Sequence, residues 1–285
     1  MNFRTFLESE RSKLSHYLLI GNPISHSLSP LMHNTALAHN KIGGEYISVS
    51  VAASDITSLI AHCNQPAFLG ANVTIPHKEL LYETVDALSE EAMEIGAVNT
   101  IVKEQGKLVG YNTDAYGFIE PIRSYVDDLS GERVIIFGSG GATKAIVYAL
   151  SAIGVQEIIL VSRRPENFDD HYDNRVSRCS YDEWQSFAED ATMIVNATPL
   201  GMTPNTEASP VKDNEVDLLE GKICYDVVYN PRITKFLRQA EEAGGTPIEG
   251  IDMLIHQGDK SFNLWTGFNF PIDIIRSKIN EVLPA

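Results

Sequence analysis

The chain has 285 residues, 44% of them hydrophobic and 21% charged, a composition typical of a globular protein long enough for two domains. Its formal net charge of −16 argues against a basic nucleic-acid-binding face, so we expect no nucleic-acid partner. The three cysteines are far apart and lack a Cys-x-x-Cys spacing, which predicts neither a disulfide framework nor a zinc site. The amino terminus is too charged for a signal peptide, and no apolar stretch reads as a membrane span, so we expect a cytoplasmic protein without a membrane partner.

Strand and helix patterns alternate along the first part of the chain. Strands are predicted at residues 17–21, 45–51, 68–73, 98–103 and 107–111, the last two as a hairpin around Gln105-Gly106. Helices are predicted at 30–40, from 54 to about 63, and at 88–95. Alternation of this kind predicts a mostly parallel sheet with helices on both faces. The first sixteen residues precede the first clear strand and carry no prediction.

A second alternating series follows. A helix from 115 to about 126 precedes strands at 133–137, 157–161, 193–197, 222–228 and 246–249, with helices between them. Two helices, at 252–265 and 271–283, close the chain. The restarted order, rather than a linker of distinct composition, predicts a second α/β domain beginning near Asp114.

A glycine turn lies between the strand at 133–137 and the following helix, in Phe137-Gly138-Ser139-Gly140-Gly141-Ala142. Glycines there allow the backbone to approach a pyrophosphate, which the helix amino terminus can bind. Thr143 stands where Gly-x-Gly-x-x-Gly has its third glycine, so the turn alone is equally typical of an ordinary strand–helix connection. The next strand ends in Ser162-Arg163-Arg164, where an NAD enzyme would carry an acid. Arginine there can hold a 2′-phosphate, which favours NADP over NAD, although a solvated loop would also carry arginines.

Polar side chains also follow strand ends in the first half of the chain. Pro76 ends one strand just before Lys78, and Asn112-Thr113-Asp114 follows another. Ligands bind at the carboxyl edge of open α/β sheets, so Lys78 and Asp114 could form an acid/base pair there. Each alone is more simply a surface lysine or a helix-capping aspartate. The residues predicted to converge on a small polar ligand are Ser27, Ser29, Asn72, Thr74, Lys78, Asn99 and Asp114, although the two serines could equally cap a helix.

From about Tyr17 to its carboxyl terminus the chain resembles the shikimate dehydrogenase family. The motifs are modest singly and highly specific in this order. They are Ser27-Leu28-Ser29-Pro30, Asn72-Val73-Thr74-Ile75-Pro76-His77-Lys78, Gly96-Ala97-Val98-Asn99-Thr100, Asn112-Thr113-Asp114, Gly138-Ser139-Gly140-Gly141-Ala142, Asn196-Ala197-Thr198-Pro199-Leu200-Gly201-Met202, Tyr229-Asn230-Pro231 and Gln257.

The resemblance implies reversible, NADP-dependent reduction of 3-dehydroshikimate to shikimate by a two-domain α/β enzyme. Residues 1–113 would form a substrate-binding domain with a mostly parallel sheet, and residues 114–249 a Rossmann-like NADP-binding domain. Residues 250–285 would be carboxyl-terminal helices that return to the substrate domain. The partners implied are the small-molecule substrate and NADP, in a monomer or homodimer.

The resemblance also implies residue roles. Lys78 and Asp114 would be the catalytic pair, with Lys78 as acid/base and Asp114 orienting it while holding a substrate hydroxyl. Ser27 and Ser29 would hold the substrate carboxylate, Asn72, Thr74, Asn99, Asp114 and Gln257 its hydroxyls, and Tyr229 would line the site. The cofactor residues implied are Gly138, Ser139, Gly140, Gly141, Ala142, Ser162, Arg163, Arg164, Asn196, Thr198, Met202, Val227 and Gly250.

One departure from the family concerns the cofactor. Ser162-Arg163-Arg164 stands where the family often has Asn-Arg-Thr, which leaves the contacts to the adenosine open. The histidines near these segments, His26, His33, His77 and His256, form no metal-binding spacing, so we predict surface or packing roles and no metal.

Three alternatives stay open. A quinate/shikimate dehydrogenase using NAD as well as NADP would share these motifs. A folate-type dehydrogenase of similar two-domain layout is a more distant alternative, and the Ser27-Leu28-Ser29 and Asn112-Thr113-Asp114 elements argue against it. A non-catalytic NADP-binding regulator on the same scaffold would be expected to lose the lysine or the aspartate, and this chain keeps both.

Overall fold

The fold was analysed on a computed structural model that describes residues 1–24, 27–167, 172 and 174–283. Its internal contacts divide it into two units. Unit 1 comprises Met1–Asp114 and Gln257–Val282, and unit 2 comprises Ala115–His256 and Leu283. Residues 250–256, which the sequence analysis groups with the returning helices, therefore fall in unit 2. Within the part of the chain described, no helix is long and apolar enough to cross a membrane.

Unit 1 contains a six-stranded sheet. Its first strand pairs in parallel with the second and third, so the carboxyl ends of these three strands share one edge. The fifth and sixth strands form the predicted antiparallel hairpin. The strands, in chain order, are β1 (His16–Gly21), β2 (Glu45–Ser50), β3 (Phe68–Val73), β4 (Ala87–Leu88), β5 (Thr100–Glu104) and β6 (Lys107–Tyr111), and the spatial order is β2-β1-β3-β5-β6-β4.

Helix α1 (Phe3–Glu8) precedes β1. The helices between the strands are α2 (Ser29–His39), α3 (Ile56–Cys63), α4 (Lys78–Tyr82) and α5 (Glu90–Ile95). The helix predicted at 88–95 begins later, because Leu88 pairs in β4 with Gly110 and the Ser89 side chain caps the helix at Ala92 N. Gly96, at φ 70°, ends α5 in the left-handed conformation that glycine adopts without steric cost.

The amino-terminal helix α1 was not predicted. Asn2 caps it by accepting from Thr5 N at 2.8 Å. Phe3 and Phe6 are buried in the core of unit 1 with residues such as Leu18. The first residues of the chain are therefore held by burial of two aromatic rings, a stabilisation of about 2 kcal/mol for each ring.

The first helical segment after Tyr111 is broken. The continuous helix predicted at 115–126 is wrong. Instead α6 (Asp114–Ile119) gives way to a 3₁₀ helix (Glu120–Tyr125) and then α7 (Val126–Leu129). Pro121 explains the break, because it has no N–H to donate and its ring clashes with the preceding helical turn.

Unit 2 contains a second six-stranded sheet, in which every pair is parallel. This arrangement agrees with the predicted Rossmann-like class, although the strand at 176–179 was not anticipated. The strands are β7 (Arg133–Phe137), β8 (Glu157–Val161), β9 (Val176–Cys179), β10 (Ala191–Asn196), β11 (Ile223–Asp226) and β12 (Thr246–Ile248), in the order β12-β11-β10-β7-β8-β9. The helices among them are α8 (Gly141–Ala152), α9 (Gln185–Ala188) and α10 (Lys235–Glu242).

Two helices close the chain, α11 (Gly250–Thr266) and α12 (Ile272–Val282). The end of α11 is fastened to the sheet of unit 1, because the Trp265 indole donates to the Ile101 carbonyl at 3.0 Å. Gly70 makes room for that ring, since a Cβ there would lie 2.5 Å from Trp265 Nε1. This packing positions the residues of α11 from Gln257 onward within unit 1.

Candidate active site

Lys78 and Asp114 form an ion pair in unit 1. β3 ends at Val73, a turn follows, and Lys78 is the first residue of α4. The turn is anchored by buried His77, whose Nε2 lies 2.7 Å from the Val51 carbonyl. The Lys78 ammonium donates to Oδ2 of Asp114, and the two side chains are only 15% and 7% exposed. Lys78 is therefore a largely buried proton donor that is hydrogen-bonded to a carboxylate, an arrangement suited to acid/base chemistry.

The other oxygen of that carboxylate is also engaged. Asn99 Nδ2 donates to Asp114 Oδ1 at 2.8 Å and to Thr113 Oγ1 at 2.9 Å. Asn99 Oδ1 accepts from Thr113 N at 2.8 Å, so the amide cannot flip without losing both kinds of bond. Asp114 is therefore held in one orientation, with one oxygen facing Lys78.

Asn72 is clamped at both ends of its amide. Its Oδ1 accepts from the Tyr46 hydroxyl at 2.8 Å. Its Nδ2 donates to Ser261 Oγ at 2.9 Å and to Thr100 Oγ1 at 3.2 Å. Pairing of Asn72 with Thr100 in the sheet brings β3 and β5 together at this point.

Ser27 and Ser29 lie at the start of α2. Ser27 Oγ is 3.2 Å from Ser29 Oγ and accepts from Ser29 N at 3.2 Å. Burial raises the pKa of Tyr46 well above its usual value, and a hydrogen bond with Ser29 opposes that shift. Ser29 thus reaches the Tyr46–Asn72 pair. Thr74 follows β3 directly and packs its methyl group against Gly21.

The Gln257 backbone belongs to the same hydrogen-bonded region. Its carbonyl accepts from Thr113 Oγ1 at 3.0 Å, across 144 residues of sequence. The structure therefore brings together five predicted site residues within unit 1, namely Asn72, Lys78, Asn99, Asp114 and Gln257. Tyr229 lies in unit 2.

Sequence reasoning missed several members of this network. Tyr46, Thr100 and Ser261 are buried polar residues that bond directly to predicted site residues. Ser261 had one available signal, its position four residues after Gln257 on a predicted helix, which places both on one face. Thr100 had a signal, because it ends the motif Gly96-Ala97-Val98-Asn99-Thr100, whereas Tyr46 had no local signal.

The glycine turn of unit 2 fits a dinucleotide. Gly138 has φ +127°, and a Cβ there would lie 2.8 Å from the Ala197 carbonyl oxygen, so only glycine is accommodated. Gly140 precedes α8, whose first turn presents N–H groups to an anion. The Thr143 hydroxyl beside this turn is buried and has no hydrogen-bond partner among the residues that the structure describes. Ser139 is exposed, and Gly141 and Ala142 begin the helix.

The end of β8 carries the predicted 2′-phosphate residues. The Ser162 side chain is buried, and its Oγ accepts from Arg164 N at 3.2 Å, which shapes the turn after the strand. Arg163 and Arg164 are exposed. Their guanidinium groups are therefore available to an anionic ligand of unit 2.

Asp226 organises the ends of β10 and β11, a role that the sequence did not suggest. It accepts from Asn196 Nδ2 at 3.0 Å, Val228 N at 2.9 Å and Thr234 Oγ1 at 2.6 Å. Burial raises the pKa of this carboxyl to about 7, against the opposing effect of those donors. Asn196 in turn accepts from Thr198 Oγ1 at 2.6 Å, so these two predicted cofactor residues are hydrogen-bonded to each other.

The remaining predicted cofactor residues, Met202, Val227 and Gly250, also lie in unit 2. Met202 is exposed. A Cβ on Gly250 would lie 2.6 Å from the Asp226 and Val228 carbonyl oxygens, so glycine is required where α11 begins beside β11.

The histidines contribute no metal site among the described residues, where no cluster of three or more metal-binding side chains occurs. His33 is buried and stacked on Tyr46 with ring centroids 4.2 Å apart. Burial lowers its pKa to about 3. His26, with Ser25, lies outside the described residues.

Comparison with known proteins identifies similar chains. Residues 19–101 match a family described as the shikimate dehydrogenase substrate binding domain, and residues 250–279 match the shikimate 5′-dehydrogenase C-terminal domain. The shikimate dehydrogenase (NADP(+)) of Moorella thermoacetica is 38% identical over 276 residues, covering 94% of this chain and 93% of the relative.

Two solved structures are similar over nearly the whole chain. Shikimate 5-dehydrogenase from Thermus thermophilus, in complex with NADP(H) and shikimate, has a TM-score of 0.83 and 31% identity, covering 95% of this chain and all 100% of that one. Quinate dehydrogenase from Corynebacterium glutamicum, in complex with NAD, has a TM-score of 0.83 and 27% identity, covering 94% and 99% of the two chains.

Proposed function

The chain belongs to the shikimate dehydrogenase family, and on that premise we propose that it catalyses the reversible NADP-dependent reduction of 3-dehydroshikimate to shikimate. The observation that carries the proposal is the Lys78–Asp114 ion pair. A ketone reduction requires a proton donor at the carbonyl oxygen, and Lys78 is a shielded ammonium held in one place.

The chemistry assigned to this chain's residues is proton transfer and orientation. The hydride for the carbonyl carbon would come from NADPH, when it is bound. Lys78 then donates its proton to the oxygen that becomes the new hydroxyl, and in the reverse direction it takes that proton back. Asp114 orients the ammonium while Asn99 holds the carboxylate. Shielding from water strengthens each of these interactions.

The substrate contacts follow the same assignment. We assign the substrate carboxylate to Ser27 and Ser29, whose hydroxyls lie together at the start of α2. Hydroxyl contacts are assigned to Thr74 and Gln257 as well as to the network residues Asn72, Asn99 and Asp114. Tyr229 is assigned to the lining of the site.

The NADP contacts are assigned to unit 2. The glycine turn of Gly138, Ser139, Gly140, Gly141 and Ala142 would bind the diphosphate, supported by the close approach of Gly138 to Ala197. Arg163, flanked by Ser162 and Arg164, would bind the 2′-phosphate. Asn196, Thr198, Met202, Val227 and Gly250 would lie along the rest of the cofactor.

We propose a substrate domain of residues 1–113 with 250–285, and an NADP domain of residues 114–249. The contact-based division after Asp114 supports the first boundary. A cytoplasmic location is supported by three buried free cysteines. We propose a monomer or homodimer.

A quinate/shikimate dehydrogenase is the second candidate. The observation that favours it is the similarity to the Corynebacterium quinate dehydrogenase. The same network could accept quinate, which has an additional hydroxyl on a saturated ring.

One assay separates these readings. Initial rates of cofactor reduction are measured with shikimate and with quinate, each with NADP and with NAD. We expect shikimate with NADP to give the highest kcat/KM. Faster turnover of quinate would replace the proposed substrate, and no turnover with any pair would favour a non-catalytic regulator.

A further inference from the structure

We propose that Ser261 is a positioning residue of the substrate site, which holds the amides of Asn72 and Asn99 in the orientation that the substrate meets. The inference rests on the proposed function for the roles of those two asparagines. Ser261 belongs to none of the motifs by which the chain resembles its family.

Ser261 is completely buried on α11, one turn after Gln257. Its Oγ lies 2.9 Å from Asn72 Nδ2, 2.7 Å from Thr100 Oγ1 and 3.1 Å from Thr113 Oγ1. It also lies 3.0 Å from the Gln257 carbonyl. One hydroxyl is thus shared by β3, β5, the segment before α6, and α11.

The donor and acceptor inventory fixes the orientation of Asn72. Its Nδ2 lies 3.3 Å from the Asn99 backbone carbonyl, which can only accept, so the nitrogen and not the oxygen must face this side. An amide nitrogen can only donate, and Ser261 must therefore accept from Asn72 whichever neighbour receives its own hydrogen. The Tyr46 hydroxyl then completes the clamp at the other end.

The same hydroxyl supports Asn99 through two threonines. Thr100 Oγ1 donates to Asn99 Oδ1 at 2.9 Å, and Thr113 Oγ1 accepts from Asn99 Nδ2 at 2.9 Å. Both threonines contact Ser261. Removal of the Ser261 hydroxyl would take a hydrogen-bond partner from both threonines and so change the surroundings of the Asn99 amide, which the Thr113 N–H and Asp114 still hold.

Another hydroxyl on α11 makes hydrogen bonds only near the end of its own helix and serves as a comparison for Ser261. Thr266, also on α11, donates to the Phe262 carbonyl at 2.7 Å and accepts from Phe268 N at 3.1 Å. These are local contacts within the end of the helix. Thr266→Ala is therefore a matched control, because it removes a helix hydroxyl without touching the asparagine network.

The first test is independent of activity. The side-chain amide resonances of Asn72 and Asn99 are assigned by their loss in Asn72→Asp and Asn99→Asp, and then followed in Ser261→Ala. We expect both resonance pairs to shift in Ser261→Ala, neither in Thr266→Ala, and near-native positions in Ser261→Thr, which keeps the hydroxyl. Unmoved resonances in Ser261→Ala would overturn the proposal.

The second test is kinetic. Ser261→Ala should raise the KM for shikimate about 10-fold, the effect of losing one buried hydrogen bond, and leave the KM for NADP unchanged. In an Asn72→Ala background, Ser261→Ala should raise the KM for shikimate by less than about twofold, because the two residues act through one contact. Two results would contradict the proposal. One is an equal change in the KM values for shikimate and NADP, and the other is an effect of Ser261→Ala on the KM for shikimate that stays about 10-fold in the Asn72→Ala background. If the wild-type chain does not turn over shikimate, the proposed function fails, and the amide resonances still decide the role of Ser261.

Discussion

The two carboxylate oxygens of Asp114 have different partners, Lys78 at Oδ2 and Asn99 at Oδ1. A carboxylate held at one oxygen alone could rotate and release the ammonium. With Asn99 bound to the other oxygen, rotation costs a second, charge-assisted hydrogen bond. The pair is therefore preorganised before substrate binds, which is the property that acid/base catalysis needs.

Replacing Lys78 should remove the proton donor. Lys78→Met keeps the length and apolar stem of the side chain, so we expect kcat to fall by about 10² to 10⁴ with a smaller change in the KM for shikimate. Steady-state kinetics in both directions measure this. Lys103→Met is the control, because Lys103 is half-buried and donates to the Asn64 and Gln65 carbonyls rather than to a carboxylate. Near-normal turnover of Lys78→Met would remove Lys78 from the chemistry.

Asp114→Asn should separate orientation from binding. The amide keeps the shape of the carboxylate but presents an N–H₂ group or a neutral oxygen to the ammonium, so we expect kcat to fall about 100-fold and the KM for shikimate to rise. The control is Asp86→Asn, since the Asp86 carboxylate accepts from the Leu108 backbone N–H at 2.8 Å and is not part of the Lys78–Asp114–Asn99 network. A change confined to KM would reduce Asp114 to substrate holding.

Arg163 should distinguish NADP from NAD. Loss of a charge-assisted contact with the 2′-phosphate in Arg163→Ala should raise the KM for NADP about 10-fold to 100-fold. NAD lacks that phosphate and serves as the internal control, so its KM should stay the same. Equal effects on both cofactors would place Arg163 elsewhere on the dinucleotide.

Acid should destabilise the fold through His33. Burial lowers its pKa to about 3, below the usual 6.5, so the stabilisation it contributes is complete above pH 6.5 and is lost as the pH falls towards 3. The loss is about 1.4 kcal/mol per pH unit. Burial also lowers the pKa values of His16 and His62, so their protonation should likewise destabilise the fold in acid.

His33→Phe tests that slope. The His33 ring nitrogens make no hydrogen bond of normal geometry to a described residue, so phenylalanine keeps the stacking on Tyr46 and removes the titration. Between pH 6.5 and 5 the variant should lose about 2 kcal/mol less than the wild-type chain in urea unfolding. Exposed His39, on the same helix, supplies the control His39→Gln. Parallel pH curves for His33→Phe and wild type would refute the assignment.

Asp226 should make the free energy of unfolding depend on pH in the opposite direction, so that the fold loses stability as the pH rises. Its folded pKa of about 7 lies above the usual 3.8, so its contribution is complete at low pH and is lost as the pH rises through 7. Relative to Asp226→Asn, which has no charge to bury, the wild-type chain should lose about 3 kcal/mol between pH 5 and 8. The same urea titrations measure the difference. A difference that does not change with pH would mean that the three donors keep Asp226 ionised throughout.

Local chemistry made the element types predictable. Strand ends and turns are set by residues within a few positions, such as Gly138, Gly140 and Pro76, and strands by alternating apolar runs. The sequence therefore predicted β3, β7, β8 and the β5–β6 hairpin nearly to the residue. The continuous helix predicted over residues 115–126 was wrong, because Pro121 interrupts the helical hydrogen bonding there. The α1 helix was missed because its formation depends on burial of Phe3 and Phe6 in a core made by distant strands.

The sequence by itself determined the motifs, their order and the identities of Lys78 and Asp114 as candidates for the reaction. Only the tertiary structure decided which polar side chains meet. Asn72 and Ser261 are 189 residues apart, and their hydrogen bond exists because α11 packs on the sheet of unit 1. Turn and helix preferences act over a few residues, whereas the orientation of a buried amide is set by whatever donors and acceptors the fold brings within hydrogen-bonding distance, about 3 Å.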